Sequence, residues 1–279
     1  MTDIPPPPLA GVVGWPIGHS RSPVLHGHWL SRYRIKGYYI PIGLRPQDFE
    51  DGIRSLPRLG FRGVNLTIPF KETILSMADS ISDRAALIGA ANTLVFREDG
   101  SIYADNTDGI GFLESVRSSA PYWSPKSGPA LVIGAGGAAR AIVSALLTAG
   151  VPEVRLANRT RTKAEMLKEH FGARVTQIDW ERASEAAAGA AIIVNTTALG
   201  MVGKPPLNFG FEHAAPNAVV VDIVYTPLET EFLKRAAECG LHVVDGVGML
   251  LHQAVPGFES WFGVRPEVDE ELRNAVLSA

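Results

Sequence analysis

The chain has 279 residues, 46% of them hydrophobic and 20% charged, with a formal net charge of −3. This is an ordinary globular composition, long for one core and comfortable for two domains. The slightly acidic balance argues against a basic footprint for nucleic acid or an anionic membrane, and one cysteine, Cys239, rules out an internal disulfide and suits a reducing cytosol.

The head, MTDIPPPPLAGVV, lacks a basic region and a continuous apolar segment, so it reads as an extended lead-in and not as a signal peptide. LAGVVGWP predicts a short strand ending at Trp15 and Pro16. Ser22 before Pro23 predicts an N-cap and first helical residue, which leaves Ser20 and Ser22 in the loop feeding that helix; two hydroxyls there can bind a carboxylate. GYYIPIG gives a second strand, RPQDFEDGIRSL a helix, and GFRGVNLTIPFKETI a third strand, a turn at Pro69 and another helix. RAALIGAANTLVF reads as a helix running into a strand near Asn92, and Glu98 to Gly100 as a hairpin turn. The return strand, SIYADNTDG, leads into a helix starting near Thr107. Alternating strands and helices indicate a largely parallel α/β sheet.

After the turn-rich SSAPYWSPKSGP comes ALVIGAGGAARAIVSALLTAG, Ala130 to Gly150, the strand, turn and helix of a dinucleotide-binding unit. Gly134 permits the sharp turn, Gly136 leaves room for a pyrophosphate, and Ala139 takes the small-residue place where helix meets sheet. A tight βα turn needing glycine for its own sake gives the same letters. The tip of the next strand separates these readings: it carries Asn158, Arg159 and Thr160 where an NAD site has a carboxylate. A guanidinium there grips a 2′-phosphate, so the site asks for NADP; Arg161 and Lys163 add charge nearby. Strands follow near residues 153–157, 174–178, 192–195, 219–223 and 241–244, then a helical region from Asp245 and Gly246 and a terminal helix. The longest uncharged stretch, Ala186 to Gly203, is interrupted by Asn195, Thr196 and Thr197, so no membrane span is expected.

Polar residues gather at strand ends in the first hundred positions: Asn65, Thr67 and Lys71 at one, Asn92 at another, and Asp105 to Asp108 at a third. In open α/β sheets, ligands sit at the carboxyl ends of strands. A Lys and an Asp brought together there form an acid/base pair; the same spacing also suits a surface ion pair and an Asp helix cap. His19, His26, His28 and His252 show no metal-ligand spacing, so no metal is expected.

Over essentially its whole length the chain resembles shikimate dehydrogenase, through IGHSRSP, NLTIPFKE, GAANTL, DNTDG, GAGGAAR, NRT and GMLLHQA. The resemblance implies NADPH-dependent, reversible reduction of 3-dehydroshikimate to shikimate in aromatic amino-acid biosynthesis. It implies Lys71 and Asp108 as the catalytic pair, with Ser20 and Ser22 on the substrate carboxylate and Thr67, Asn92 and Gln253 on its hydroxyls. For the cofactor it implies Gly134, Ala135, Gly136, Gly137, Ala138 and Ala139 at the pyrophosphate, and Asn158, Arg159, Thr160 and Lys163 at the 2′-phosphate. Ile223, Tyr225 and Gly246 would line the nicotinamide side. Lys163 stands where some members carry arginine, which puts more of the phosphate clamp on Arg159. The implied architecture is α/β: a substrate domain over 1–108, a Rossmann-like NADP domain over 109–245, and C-terminal helices over 246–279 packing back on the first domain. The expected protein is a cytoplasmic monomer or homodimer acting on a small molecule, with no nucleic-acid or membrane partner. The competing expectations are a quinate/shikimate dehydrogenase relaxed toward quinate or NAD, and a non-catalytic NADP-binding regulator.

Overall fold

A computed structural model describes residues 6–279; the start of the proline-rich lead-in, residues 1–5, lies outside the described residues. The backbone forms two compact units. One takes the chain up to Thr107 together with Gln253–Ala279, and the other is Asp108–His252.

In the first unit, strands β1 (Leu9–Gly14), β2 (Tyr38–Gly43), β3 (Phe61–Leu66), β4 (Ser80–Ile81), β5 (Thr93–Phe96) and β6 (Ile102–Asp105) form one sheet, ordered β2-β1-β3-β5-β6-β4. β1 runs parallel to β2 and β3, while β5 is antiparallel to both β3 and β6, as the expected hairpin at Glu98 to Gly100 requires. One face buries Val13, Phe61, Val64, Leu66, Leu94 and Ile102 with Phe49 and Ile53 of helix α2 (Phe49–Ser55); the Phe49 and Phe70 rings stack at 4.0 Å. The unit's other helices are α1 (Ser22–Arg32), α3 (Asp83–Ile88), the part of α8 (Gly246–Phe262) from Gln253 onward, and α9 (Glu270–Leu277).

The C-terminal helices return to this unit through specific donors. Trp261 of α8 gives its indole N–H to the Leu94 carbonyl at 2.9 Å, and Trp29 of α1 gives its own to the Glu267 carbonyl at 2.9 Å. Gly63 makes the first contact possible, because a Cβ there would lie 2.1 Å from both the Leu94 oxygen and the Trp261 indole nitrogen.

Local chemistry alters three expectations. Arg21 occupies the N-cap of α1, so Ser22 is the first helical residue and no side chain caps the helix. The helix expected after Pro69 is a single 3-10 turn, Thr73–Ser76. Ala91 N–H bonds the Lys71 carbonyl at 2.7 Å just before it, and Ile102 N–H bonds the Asp79 carboxylate at 2.8 Å just after it. Between this turn and α3 lies β4, whose two residues are too few to produce a periodic signal.

In the second unit, β7 (Ala130–Ile133), β8 (Val154–Ala157), β9 (Val175–Ile178), β10 (Ile192–Asn195), β11 (Val219–Asp222) and β12 (His242–Val244) form an all-parallel sheet, ordered β12-β11-β10-β7-β8-β9. Near-continuous apolar strands such as ALVI, IIVN and VVVD fit a sheet covered on both faces. One face packs on α4 (Asp108–Ser119), α5 (Gly137–Ala149) and α6 (Arg161–Phe171). The other packs on Phe209, Phe211 and Phe232, the last from α7 (Glu231–Glu238). Gly109 lets α4 lie against α5, since a Cβ there would sit 2.9 Å from the Ala141 oxygen. Strand order reverses between β7 and β10, and that switch point is where ligands bind in open parallel sheets. Among the described residues, no helix is long and apolar enough to cross a membrane.

Candidate active site

In the first unit, the polar residues picked out at separate strand ends form one connected seam. Asn92, just before β5, is buried at its centre. Its Oδ1 accepts from Thr107 N–H at 2.8 Å, from the Thr107 hydroxyl at 3.1 Å and from the Thr93 hydroxyl at 3.0 Å. Its amide donates to Gln253 Oε1 at 3.1 Å, and the Thr107 hydroxyl reaches the Gln253 carbonyl at 2.8 Å. Lys71 enters beside this group because Ala91, the residue before Asn92, bonds the Lys71 carbonyl. Asn65 in β3 supports Asn92 from behind, donating to its carbonyl at 3.1 Å and to Thr93 Oγ1 at 3.2 Å.

The ends of β1 and β3 meet where Thr67 N–H donates to Val13 O at 3.0 Å and Trp15 N–H to Ile68 O at 3.1 Å. Gly14 makes room: a Cβ there would strike Thr67 Cγ2 at 2.4 Å. Ser20 is held by its N–H on Ile17 O at 3.0 Å, and its hydroxyl accepts from Ser22 N–H at 3.4 Å. This unit therefore contains Ser20, Ser22, Thr67, Lys71, Asn92 and Gln253. Asp108 begins α4 in the second unit, directly after Thr107.

Asp105 supplies a buried carboxylate to the seam, paired with Arg84. Burial alone would raise its carboxyl, but hydrogen bonds from Arg84 and Ser82 outweigh that and hold it below the ordinary carboxylate range. Arg84 Nε and Ser82 Oγ both reach Oδ1 at 2.6 Å, and Asn106 N–H adds a bond at 2.7 Å. Tyr39, Thr93 and Arg84 are members that sequence reasoning missed. Thr93 stood next to Asn92 in GAANTL, whereas nothing local marked Tyr39 as facing β3.

In the second unit, Gly134 ends β7 with φ +114°. A Cβ there would sit 2.5 Å from the Thr196 hydroxyl, which itself bonds the Ile133 carbonyl at 2.8 Å. Ala135 and Ala139 are buried, while Gly136 and Gly137 are exposed and have nothing within 4 Å of an added Cβ. Gly136 is the N-cap of α5 with no side-chain cap and no acid in the first turn, followed by Gly137 and Ala138. The helix thus offers its first amides and the positive end of its dipole to an anion.

At the end of β8, Asn158 donates to the Thr160 carbonyl at 2.8 Å and shapes the turn into α6. Arg159, Thr160 and Lys163 are exposed there, and the first turn of α6 holds no acid. Arg161 is instead committed to Glu165 at 2.9 Å and Asp179 at 3.6 Å. Ile223 follows β11, and Gly246 lies against it so closely that a Cβ would meet the Ile223 carbonyl at 2.4 Å. Tyr225 is half-buried two residues beyond Ile223. Among the described residues, no group of three or more His, Cys, Asp or Glu could hold a metal ion.

The chain matches three family descriptions in order: Shikimate dehydrogenase substrate binding domain over residues 12–94, Shikimate / quinate 5-dehydrogenase over 119–223, and Shikimate 5'-dehydrogenase C-terminal domain over 246–276. It is 59% identical over 271 residues to Shikimate dehydrogenase (NADP(+)) of Paracoccus denitrificans, covering 97% of this chain and 96% of that protein. To the protein of the same name from Cereibacter sphaeroides it is 58% identical, with 100% of both chains covered. The chain belongs to the shikimate dehydrogenase family. Shikimate 5-dehydrogenase of Thermus thermophilus, solved with NADP(H) and shikimate, superposes with a TM-score of 0.86 at 36% identity over 97% of this chain and 98% of that one. Quinate dehydrogenase of Corynebacterium glutamicum, solved with NAD, superposes at 0.90 with 31% identity over 98% and 99%. The same fold is thus seen in neighbours solved with NADP(H) and shikimate and with NAD.

Proposed function

We propose that this chain catalyses the reversible, NADP-dependent interconversion of 3-dehydroshikimate and shikimate, as a cytoplasmic enzyme of aromatic amino-acid biosynthesis. The observation that carries this reading is the full-length match, at 58–59% identity, to relatives named for that activity.

NADPH, when bound, supplies the hydride that the ketone carbon accepts. The amides at the start of α5 hold the pyrophosphate, and Arg159, with Asn158, Thr160 and Lys163, binds the 2′-phosphate. A carboxylate at that tip would repel the phosphate, and none is present. Ile223, Tyr225 and Gly246 line the nicotinamide side. Ser20 and Ser22 bind the substrate carboxylate, while Thr67, Asn92 and Gln253 hydrogen-bond its hydroxyls. As the carbonyl carbon is reduced, negative charge develops on its oxygen, and the Lys71 ammonium stabilises that charge and delivers the proton. Asp108 accepts from the same hydroxyl and fixes its direction.

The test is absorbance at the nicotinamide band with purified protein given shikimate and NADP, then quinate or NAD in place of each. Turnover confined to the first pair is expected. Comparable rates with quinate or NAD would move the chain to the relaxed class, and no turnover with any pair would overturn the reading in favour of a binding protein.

A further inference from the structure

Asn195 ends β10 and Asp222 ends β11, directly opposite each other in the parallel register. Both side chains are completely buried, and the proposed chemistry uses neither. A buried carboxylate is costly unless donors meet its oxygens. Asp222 Oδ1 accepts from Asn195 Nδ2 at 3.0 Å and from Val224 N–H at 3.0 Å, and Oδ2 accepts from the Thr230 hydroxyl at 2.7 Å. Asn195 is spent in full. Its oxygen accepts from Thr197 N–H at 3.0 Å and from the Thr197 hydroxyl at 2.8 Å, and its other amide hydrogen goes to the Leu199 carbonyl at 3.2 Å. These partners allow the amide one orientation, with its nitrogen toward Asp222.

The strand itself asks for no carboxylate, since the rest of β11 is valine. The chain beyond it does. Ile223 N–H bonds the Asn195 carbonyl at 3.2 Å, and the bond from Val224 N–H to Asp222 Oδ1 closes a turn two residues long. The turned backbone sets the Ile223 and Val224 carbonyls against Gly246, where a Cβ would meet them at 2.4 Å and 2.6 Å. An apolar side chain at 222 would leave the buried Val224 N–H without this acceptor and the turn without its tie.

We infer that Asp222, oriented by Asn195, is a positioning residue for the nicotinamide half of the cofactor: by holding Val224 N–H it sets the path of residues 223–225 against Gly246. The inference rests on the reading of Ile223, Tyr225 and Gly246 as the nicotinamide side. Asp222 is enclosed in protein and acts only through that backbone.

The test pairs steady-state kinetics with cofactor titration of the full chain, for the parent, Asp222→Ala, Asp222→Asn and Thr230→Val, with a melting curve for each. The titrants are NADP and 2′-phospho-ADP-ribose, which keeps the phosphates and adenine of NADP but carries no nicotinamide ring. Asp222→Ala is expected to lower kcat about tenfold, because a slightly displaced hydride donor loses rate steeply, while affinity for 2′-phospho-ADP-ribose stays within about twofold. Asp222→Asn keeps an oxygen toward Val224 and Asn195, since the flipped amide would set its nitrogen against two donors, and its kcat should stay within about twofold. Thr230→Val removes the bond to Oδ2 and the cap of α7. It should melt lower and keep a parent-like kcat. Should Asp222→Ala not fold, Asp222→Ser carries the same test, its shorter hydroxyl holding the turn weakly and its kcat falling about threefold.

A parent-like kcat in Asp222→Ala, or in Asp222→Ser where that variant stands in, would overturn the proposal. An equal loss in Asp222→Asn or Thr230→Val would overturn it too, because the Val224 bond would not then be the cause. Affinity for 2′-phospho-ADP-ribose falling in step with kcat would do the same, as a general loss of structure. A parent protein that shows no turnover would instead defeat the underlying functional reading, and this inference with it.

Discussion

The first sheet ends its strands in side-chain amides, hydroxyls and one ion pair, whereas the second is apolar almost to its tips and presents backbone: Gly134 in the left-handed region, an uncapped α5 N-terminus, and Gly246 pressed on Ile223. The contrast matches the roles proposed for the two units. A small polyhydroxylated acid is recognised by directional groups placed one by one, while a pyrophosphate is held by consecutive N–H groups that any sequence supplies once the backbone takes the right path. In the first unit, then, isosteric side-chain changes should remove function and spare the fold. In the second, the addition of a single methyl group should damage both.

The largest effect expected is on the side-chain side. Lys71→Met keeps the length and apolar stem and removes the charge, and kcat should fall by about 10³-fold, the cost of losing a proton donor together with the field on a developing oxyanion. Melting temperature and NADP affinity should stay near those of the parent. Stopped-flow or steady-state rates beside a cofactor titration would check this; retained kcat would remove Lys71 from the chemistry.

Gly134→Ala is the matching backbone test. The methyl would demand φ near +114° of an L residue and press on the Thr196 hydroxyl that caps the same strand end. The two penalties together are about 3 kcal/mol, and NADP affinity should drop with stability, in contrast to Lys71→Met. Parallel calorimetric melting and cofactor titration would separate the two patterns.

Arg159→Ala lies between these cases, being a side-chain contact on the backbone-driven side. It should raise the KM for NADP about thirtyfold, the worth of one charge-assisted phosphate contact, and leave the KM for NAD unchanged. An equal effect on both cofactors would place Arg159 on adenine alone.

The same contrast explains what could be read from sequence. The second unit was legible element by element, since continuous apolar strands, a glycine turn and a cationic tip are local signals with fixed spacing. In the first unit the seam's members were visible but their connections were not. Asn92 meets Gln253 across 161 positions, and Arg84 finds Asp105 across 21; no periodicity encodes such pairings. Ser22 illustrates the opposite error. Its cap signature was local, yet the helix starts one position earlier, with Arg21 at the N-cap and no side-chain cap bond.

The smallest effects concern two buried carboxylates at strand ends, Asp105 closing β6 and Asp222 closing β11. Asp105 has a cation, Arg84, and a lowered pKa. Asp222 is raised by burial, against neutral donors only: Thr230 at 2.7 Å, Val224 N–H at 3.0 Å and Asn195 at 3.0 Å. Their linkage signs are opposite. A carboxyl whose native pKa is depressed contributes its stabilisation above the ordinary carboxylate value and loses it as pH falls through the native one. A carboxyl whose native pKa is raised contributes below the ordinary value and loses that contribution as pH climbs through the native one. Asp105→Asn should therefore cost about 1–2 kcal/mol at neutral pH, a figure held down by the half-exposed guanidinium it leaves behind, and its deficit should shrink toward pH 4. Asp222→Asn should stay within about 1 kcal/mol of the parent at neutral pH, because an amide satisfies most of the same neutral partners, and should compare less favourably as the solution is acidified. Melting temperatures of both variants against the parent at pH 7 and pH 4 would test the opposite slopes; slopes of the same sign would mean that charge pairing and neutral hydrogen bonding do not distinguish the two sheets.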